Sequence, residues 1–295
     1  MRFALLSGLW LCMVLVLGGC QASLPPLPAW QSSEGRSDPQ LGQIIDLASG
    51  QLISPEQLLQ RLAVAPRVLV GEKHDNPDHH ALQLWLLRAL QARRTQGSLL
   101  LEMLQPEQQA RVDKAAGQPL PADLPKALDW REGWDWQFYG PIVTEALQKR
   151  GVPLLAANLS PAEMRQAYRQ PAALAGEQSN TPAVKAALLE EVRAGHCGML
   201  PESQLPAMLA VQQQRDRRMA ERLLAAPQPA MLFAGAYHVR KDLGVPLHLA
   251  DLGAQGESKV LLLAEVGEKV EAAEADYVWY TPAMPQQDYC AQLRR

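Results

Sequence analysis

Two histidines, two glutamates and an arginine stand where their side chains could act together. The runs VLVGEKH and MLFAGAYH each carry an apolar stretch into a glycine and then a histidine, His74 and His238, with Glu72 beside the first. The leucines at 99–101 end in Glu102, and LLA at 154–156 leads to Asn158. Imidazole and carboxylate together can exchange a proton with a carbonyl or ester, or hold a divalent metal ion. Arg215 could pair with one of the carboxylates or anchor an anionic ligand group.

Such a set converges only if the strand ends converge. Short apolar runs at 67–70, 98–101, 152–156, 230–233, 260–264 and 277–280 read as buried strands separated by helical patterns. Unbroken apolar strands alternating with helices predict an α/β fold, with a mainly parallel central sheet covered by helices on both faces. In that architecture ligands bind in the crevice outside the carboxyl ends of the strands, where Glu72, His74, Glu102, Asn158 and His238 fall. The glycines let the chain leave a strand sharply and approach a ligand closely.

Helix starts are marked by Ser54-Pro55, Ser160-Pro161 and Thr181-Pro182, a capping side chain before a proline at the first helical position. Glu163 completes a capping box with Ser160. A further helix is expected from Asn76-Pro77 to about residue 94, with Ala81, Leu84, Trp85, Leu87 and Leu90 inward and with His79 and His80 solvated in its first turn. On a long helix at about 204–226, Met208, Gln212, Arg215, Met219 and Leu223 share one side.

The chain has 295 residues and a net charge of −3, and it contains no basic block, which argues against a nucleic-acid partner. Only 5% of residues are aromatic, yet Trp130, Trp134, Trp136, Phe138 and Tyr139 lie within ten positions, ahead of a helix expected near Pro141. This cluster reads either as a hydrophobic plug or as a wall for a flat ligand, with a phenol available to haem iron. The segment HCGMLP adds His196 between two helices as another candidate ligand.

At the amino end Arg2 precedes an apolar run from Phe3 to Leu17, followed by Gly18, Gly19 and Cys20. A positive start, a short apolar stretch and small residues describe a secretory signal peptide over 1–19, and LGGC resembles a lipobox with Cys20 as the lipidated first residue. Gln21 in place of Asp favours the outer membrane. Residues 20–40 read as a lipidated tether, whose 18 or so Pro-, Ser- and Gln-rich positions would reach roughly 25 Å if flexible. Residues 41–295 read as a single α/β domain with a helical insertion at about 159–228. Cys197 and Cys290 could pair or remain thiols, since spacing alone does not decide.

The segments VLVGEKHDNPDHH, LLLEM, WDWQFYGPIV, HCGMLP, QQQRDRRMAERL and LFAGAYHVRKDLGVPLHL resemble, in order, the ChaN-like haem-binding lipoproteins. That group belongs to a superfamily with the Tiki and TraB proteins and erythromycin esterases. The resemblance spans about 41–280. It implies a pair of stacked, non-covalently bound haems bridging a homodimer, tyrosine ligation of iron, and a lipid-anchored place on the periplasmic side of the outer membrane beside a haem receptor. The superfamily's polar set corresponds to Glu72, His74, Glu102, Arg215 and His238. Tyr139 is the favoured iron ligand, with Tyr168 and His196 as competitors. Arg165, Arg169 or Arg215 would serve the propionates. Tyr237 departs from the smaller residue expected beside His238 and offers another phenol.

Haem binding in an uptake system is therefore the leading expectation, a binding role more than an enzymatic one. A hydrolase using Glu72, His74, Glu102 and His238, with a divalent metal or by acid–base chemistry alone, is the alternative. A structural partner of a transporter with no ligand of its own is the third.

Overall fold

Apolar strands buried on both faces need a helical layer on each side, and the chain builds that arrangement. The computed structural model describes residues 24–148, 152–288 and 290–291; the expected signal peptide and Cys20 lie outside them. Among these residues eight strands form one sheet: β1 (Ile44–Asp46), β2 (Gln51–Ile53), β3 (Arg67–Glu72), β4 (Ser98–Leu101), β5 (Leu154–Ala156), β6 (Ala230–Gly235), β7 (Ser258–Glu265) and β8 (Tyr277–Thr281). Their order is β2-β1-β8-β7-β3-β6-β4-β5. The six from β8 to β5 run parallel, and the short hairpin β1–β2 adds to β8 antiparallel. All six apolar runs read from sequence are strands. The hairpin is too short and too exposed to show a pattern.

The helices are α1 (Pro55–Ala63), α2 (Pro77–Gln91), α3 (Gln109–Ala115), α4 (Leu124–Ala127), α5 (Trp136–Gln148), α6 (Pro161–Arg169), α7 (Pro182–Gly195), α8 (Leu205–Ala225), α9 (Ala236–Val239) and α10 (Val245–Asp251). Alternation along the strands separates two cores. Val68, Val70, Leu99, Leu101, Met231 and Phe233 pack with α1, α2 and α5, whereas Leu69, Leu100 and Leu232 pack with α8 and α10. Between β5 and β6 the chain runs through α6, α7 and α8, and α6 and α7 pack on α8. Ser54, Ser160 and Thr181 cap their helices as read, the two serines through complete capping boxes.

Three expectations need correction. α5 begins at Trp136, not Pro141: the Asp135 carboxylate accepts from Gln137 N at 2.8 Å and sets the start five residues earlier. His79 and His80 are not solvated but 1% and 3% exposed, because α2 is buried nearly all round, Leu82, Leu86 and Ala89 included. The segment read as a tether is no free linker from Leu24 onward. Trp85 Nε1 donates to Pro25 O at 2.9 Å, and Gln31 N and Ser32 N donate to the Asp78 carboxylate at 2.7 and 2.8 Å. Cys197 and Cys290 are joined by a disulfide with Cα atoms 5.7 Å apart, tying the α7–α8 loop to the chain beyond β8.

Candidate functional site at the carboxyl ends of the strands

Register places the chemistry. β3, β6 and β4 end side by side, so Glu72 pairs across to Gly235 while Leu101, just before Glu102, pairs to Phe233. A Cβ at Gly235 would lie 2.9 Å from the His74 ring, so glycine is what lets the β3 and β6 ends carry their side chains this close. The result is two adjoining clusters, one on each glutamate.

Glu72 is fully buried and ringed by donors. The Tyr139 hydroxyl donates to its Oε1 at 2.7 Å, His74 Nδ1 reaches the same oxygen at 2.9 Å, and His80 Nδ1 lies 2.8 Å from Oε2. His80 Nε2 donates to the His74 carbonyl at 3.0 Å, so both its ring nitrogens face acceptors, the arrangement of an imidazolium. Burial alone would push the Glu72 carboxyl up, but His80 and then His74 hold it well below the usual range. Burial likewise pulls His80 and His74 down, and Glu72 outweighs it, so both imidazoles are raised. His79 is the neutral counterpart. Its Nδ1 accepts from Lys73 N at 2.8 Å, its Nε2 faces Thr281 Oγ1 at 3.0 Å, and burial followed by the charge on His80 brings it down to about 3.

Glu102 forms the second cluster. Arg215 donates to Oε1, Gly235 N to Oε2 at 2.8 Å, and His238 Nε2 stands 3.5 Å from Oε1. Burial opposes its ionisation, and His238 and Arg215 outweigh it, leaving the carboxyl lowered. Asn158 accepts from Arg215 Nε at 3.2 Å and donates to the Glu102 carbonyl at 3.0 Å, which aims the guanidinium. His238 Nδ1 meets the buried Asp216 carboxylate at 2.5 Å. The sequence reading missed Asp216, although its place next to Arg215 in α8 was available as a sign. A carboxylate on Nδ1 turns Nε2 toward Glu102 and the cleft.

The cleft in front of these clusters has a volume of about 620 Å³ and is lined by Glu72, His74, Gln212, Tyr237, His238 and Leu262, among others. Glu72, His74, Glu102, Arg215 and His238 therefore come together as expected, with Asn158. None of the described hydrogen bonds or ion pairs links Tyr168 or His196 to them. His196 ends α7 and turns Nδ1 back to Val192 O at 2.8 Å.

The aromatic cluster is a wall, not an open slot. Phe138 stacks on His80 with ring centroids 5.0 Å apart, Tyr139 meets the same imidazole edge-on at 4.5 Å, and Trp134 meets His74 at 5.0 Å. Tyr139 does not fit the iron-ligand role read for it. Its side chain is buried, its proton is committed to Glu72, and burial followed by the Glu72 charge pushes its ionisation far above the ordinary value. Nor do Glu72, His74, Glu102 and His238 form a second metal site: among the described residues no group of three or more His, Cys, Asp or Glu side chains is arranged to hold an ion. The carboxylate oxygens already face cations and donors. Among the described residues the exposed phenols are Tyr237, 50% exposed in the cleft, and Tyr168, 37% exposed on α6.

No curated protein matches the chain. A solved structure described as cofacial heme binding to ChaN of Campylobacter jejuni is similar at a TM-score of 0.73 and 30% identity, covering 80% of this chain and 95% of that one. A mutant erythromycin esterase in its open conformation matches at 14% identity, with a TM-score of 0.45 and 86% of each chain covered. The family model described as "Haem-binding uptake, Tiki superfamily, ChaN" matches residues 58–249, and by that match and the Campylobacter likeness the chain belongs to the ChaN family of haem-binding uptake proteins.

Proposed function

We propose that the protein holds haem for an uptake system, as a lipoprotein anchored through Cys20 to the periplasmic face of the outer membrane, where it receives haem from an outer-membrane receptor. The observation that carries the reading is α6. None of its nine residues is buried, and it presents Tyr168 beside Arg165 and Arg169. A helix face with a phenol for iron and cations for propionates, left uncovered in one chain, suits a flat dianionic ligand shared with a second copy. The cofacial haems of the Campylobacter relative support that assembly. Haem would supply the iron chemistry; Tyr168 would ligate it and the two arginines would orient it.

Tyr237 is the less suited phenol. Burial, then the neighbouring Glu191 carboxylate, pushes its ionisation up to about 12, and ligation of iron(III) requires loss of that proton. Titrating haem into the fragment from Gln21 onward tests the reading: a saturable Soret shift and a doubling of mass are expected, both lost in Tyr168→Phe and kept in Tyr237→Phe. The opposite pattern moves the ligand to the cleft, and no saturable shift at all removes haem from the function.

One observation favours a second reading, a hydrolase without metal. Asp216 orients His238 at the cleft that His74 and Glu72 also line, an acid–base arrangement that haem binding on α6 does not need. Ester hydrolysis abolished in His238→Ala and insensitive to chelators would establish it.

A further inference from the structure

The residues just after Cys20 are uniformly uncharged: LPPLPAW, at 24–30. They lie along the α2 side of the domain and are pinned at both ends, by Trp85 at Pro25 and by Asp78 at Gln31 and Ser32. Ser32 is buried, and Glu34 pairs with Ala283 in a bridge just beyond. Between the pins the strap turns apolar groups outward: Leu27 is 49% exposed, and Pro26 and Ala29 are exposed as well. Three prolines in seven residues remove backbone donors that water would otherwise satisfy.

Chain length decides what covers this strap. Three residues separate Cys20 from Leu24, and whatever their path the four Cα–Cα steps span at most about 14 Å. That leash is shorter than the domain's own radius of gyration, about 18 Å for a chain of this size. An 18-residue linker would let the domain tumble above the bilayer; a three-residue one keeps the pinned side at the headgroups. Resting on the lipidation proposed above, we infer that residues 24–30 form the membrane-contacting surface, with Leu27 seated against lipid. A row of hydrogen bonds joins the strap to the cleft wall: Ser32 Oγ to Asn76 (3.3 Å), Asn76 to Glu265 (2.9 Å) and Lys73, a residue of that wall, to Glu265 (2.8 Å).

The test uses the full lipidated chain in phosphatidylethanolamine–phosphatidylglycerol vesicles, with the photo-cross-linker p-benzoylphenylalanine placed at Leu27 or, on the opposite helical layer, at Glu221. Lipid adducts at 27 and not at 221 are expected. A Gly-Ser decapeptide inserted between Ser23 and Leu24 should lower the adduct at 27 by at least about threefold, since local concentration falls with linker length. Lipid adducts equal at both positions, an adduct at 27 to protein in place of lipid, or an adduct unaffected by the insertion would overturn the inference while leaving the lipoprotein reading intact. Absence of diacylglycerol mass on Cys20 would instead overturn the lipoprotein reading, and this inference with it.

Discussion

The Tyr139 hydroxyl donates to Glu72 Oε1 across 2.7 Å, and this bond makes a phenol that looks like a metal ligand into part of a carboxylate's cage. Glu72 has no solvent to stabilise its charge, so His74, His80 and Tyr139 do so. The same contacts hold the aromatic segment against the end of β3.

Tyr139→Phe should therefore act on stability more than on haem. Removing one donor from a buried carboxylate is expected to cost about 1–3 kcal/mol. Urea denaturation would measure it, and the Soret maximum of the haem complex should not move. A lost Soret band with unchanged stability would restore Tyr139 as the ligand.

Arg215→Met takes from buried Glu102 its guanidinium partner and leaves it only Gly235 N and His238; breaking such a pair costs about 3–5 kcal/mol when it is fully buried. Arg215 keeps some contact with solvent, so the lower end is expected. Adding Glu102→Gln should recover much of the loss, because the charge that needed the guanidinium is gone. Chemical denaturation of the two single variants and the double variant gives the coupling directly.

Stability should peak near pH 6.5. His79 titrates at about 3 in the fold against an ordinary 6.5, so the unfolded chain binds more protons across that range and stability rises with pH. The lowered Glu72 carboxyl adds to the rise up to its ordinary 4.5. Above 6.5 the raised His74 and His80 keep protons that the unfolded chain has released, and their contribution is lost as pH climbs through their folded values. Melting temperatures at about pH 5, 6.5 and 8.5 should be highest in the middle, and Glu72→Gln should flatten the fall on the alkaline side. A melting temperature still climbing at pH 8.5 would contradict the assigned charges.

The disulfide closes a separation of 93 residues. Cys290→Ser should lower stability by about 2–4 kcal/mol, and dithiothreitol should bring the unsubstituted chain to the same melting temperature while leaving the variant unmoved.

Local patterns made much of the fold and half of the site readable. Unbroken apolar runs such as VLV at 68–70 mark strands buried on both faces, and Ser-Pro and Thr-Pro pairs mark helix starts, because both signals act within a few residues. Once a parallel sheet is inferred, polar residues just past the strands must share one edge, which brings Glu72, His74, Glu102 and His238 together; Arg215 is read from its side of the long helix. What no local pattern carries is which partner each group finds. His79 and His80 look solvated until Thr281, more than 200 positions away, closes over the first of them. Asp216 is an ordinary helical acid until α9 brings His238 to it, and Tyr139 is an available phenol until α5 starts at Trp136 and turns it onto Glu72. Residues 24–30 have the composition of a linker, and contacts distant in sequence, Asp78 and Trp85 among them, make them a strap. Strand and helix identity follows from near neighbours in the chain, whereas charge state, burial and accessibility depend on groups distant in sequence, and these come together only when the layers pack.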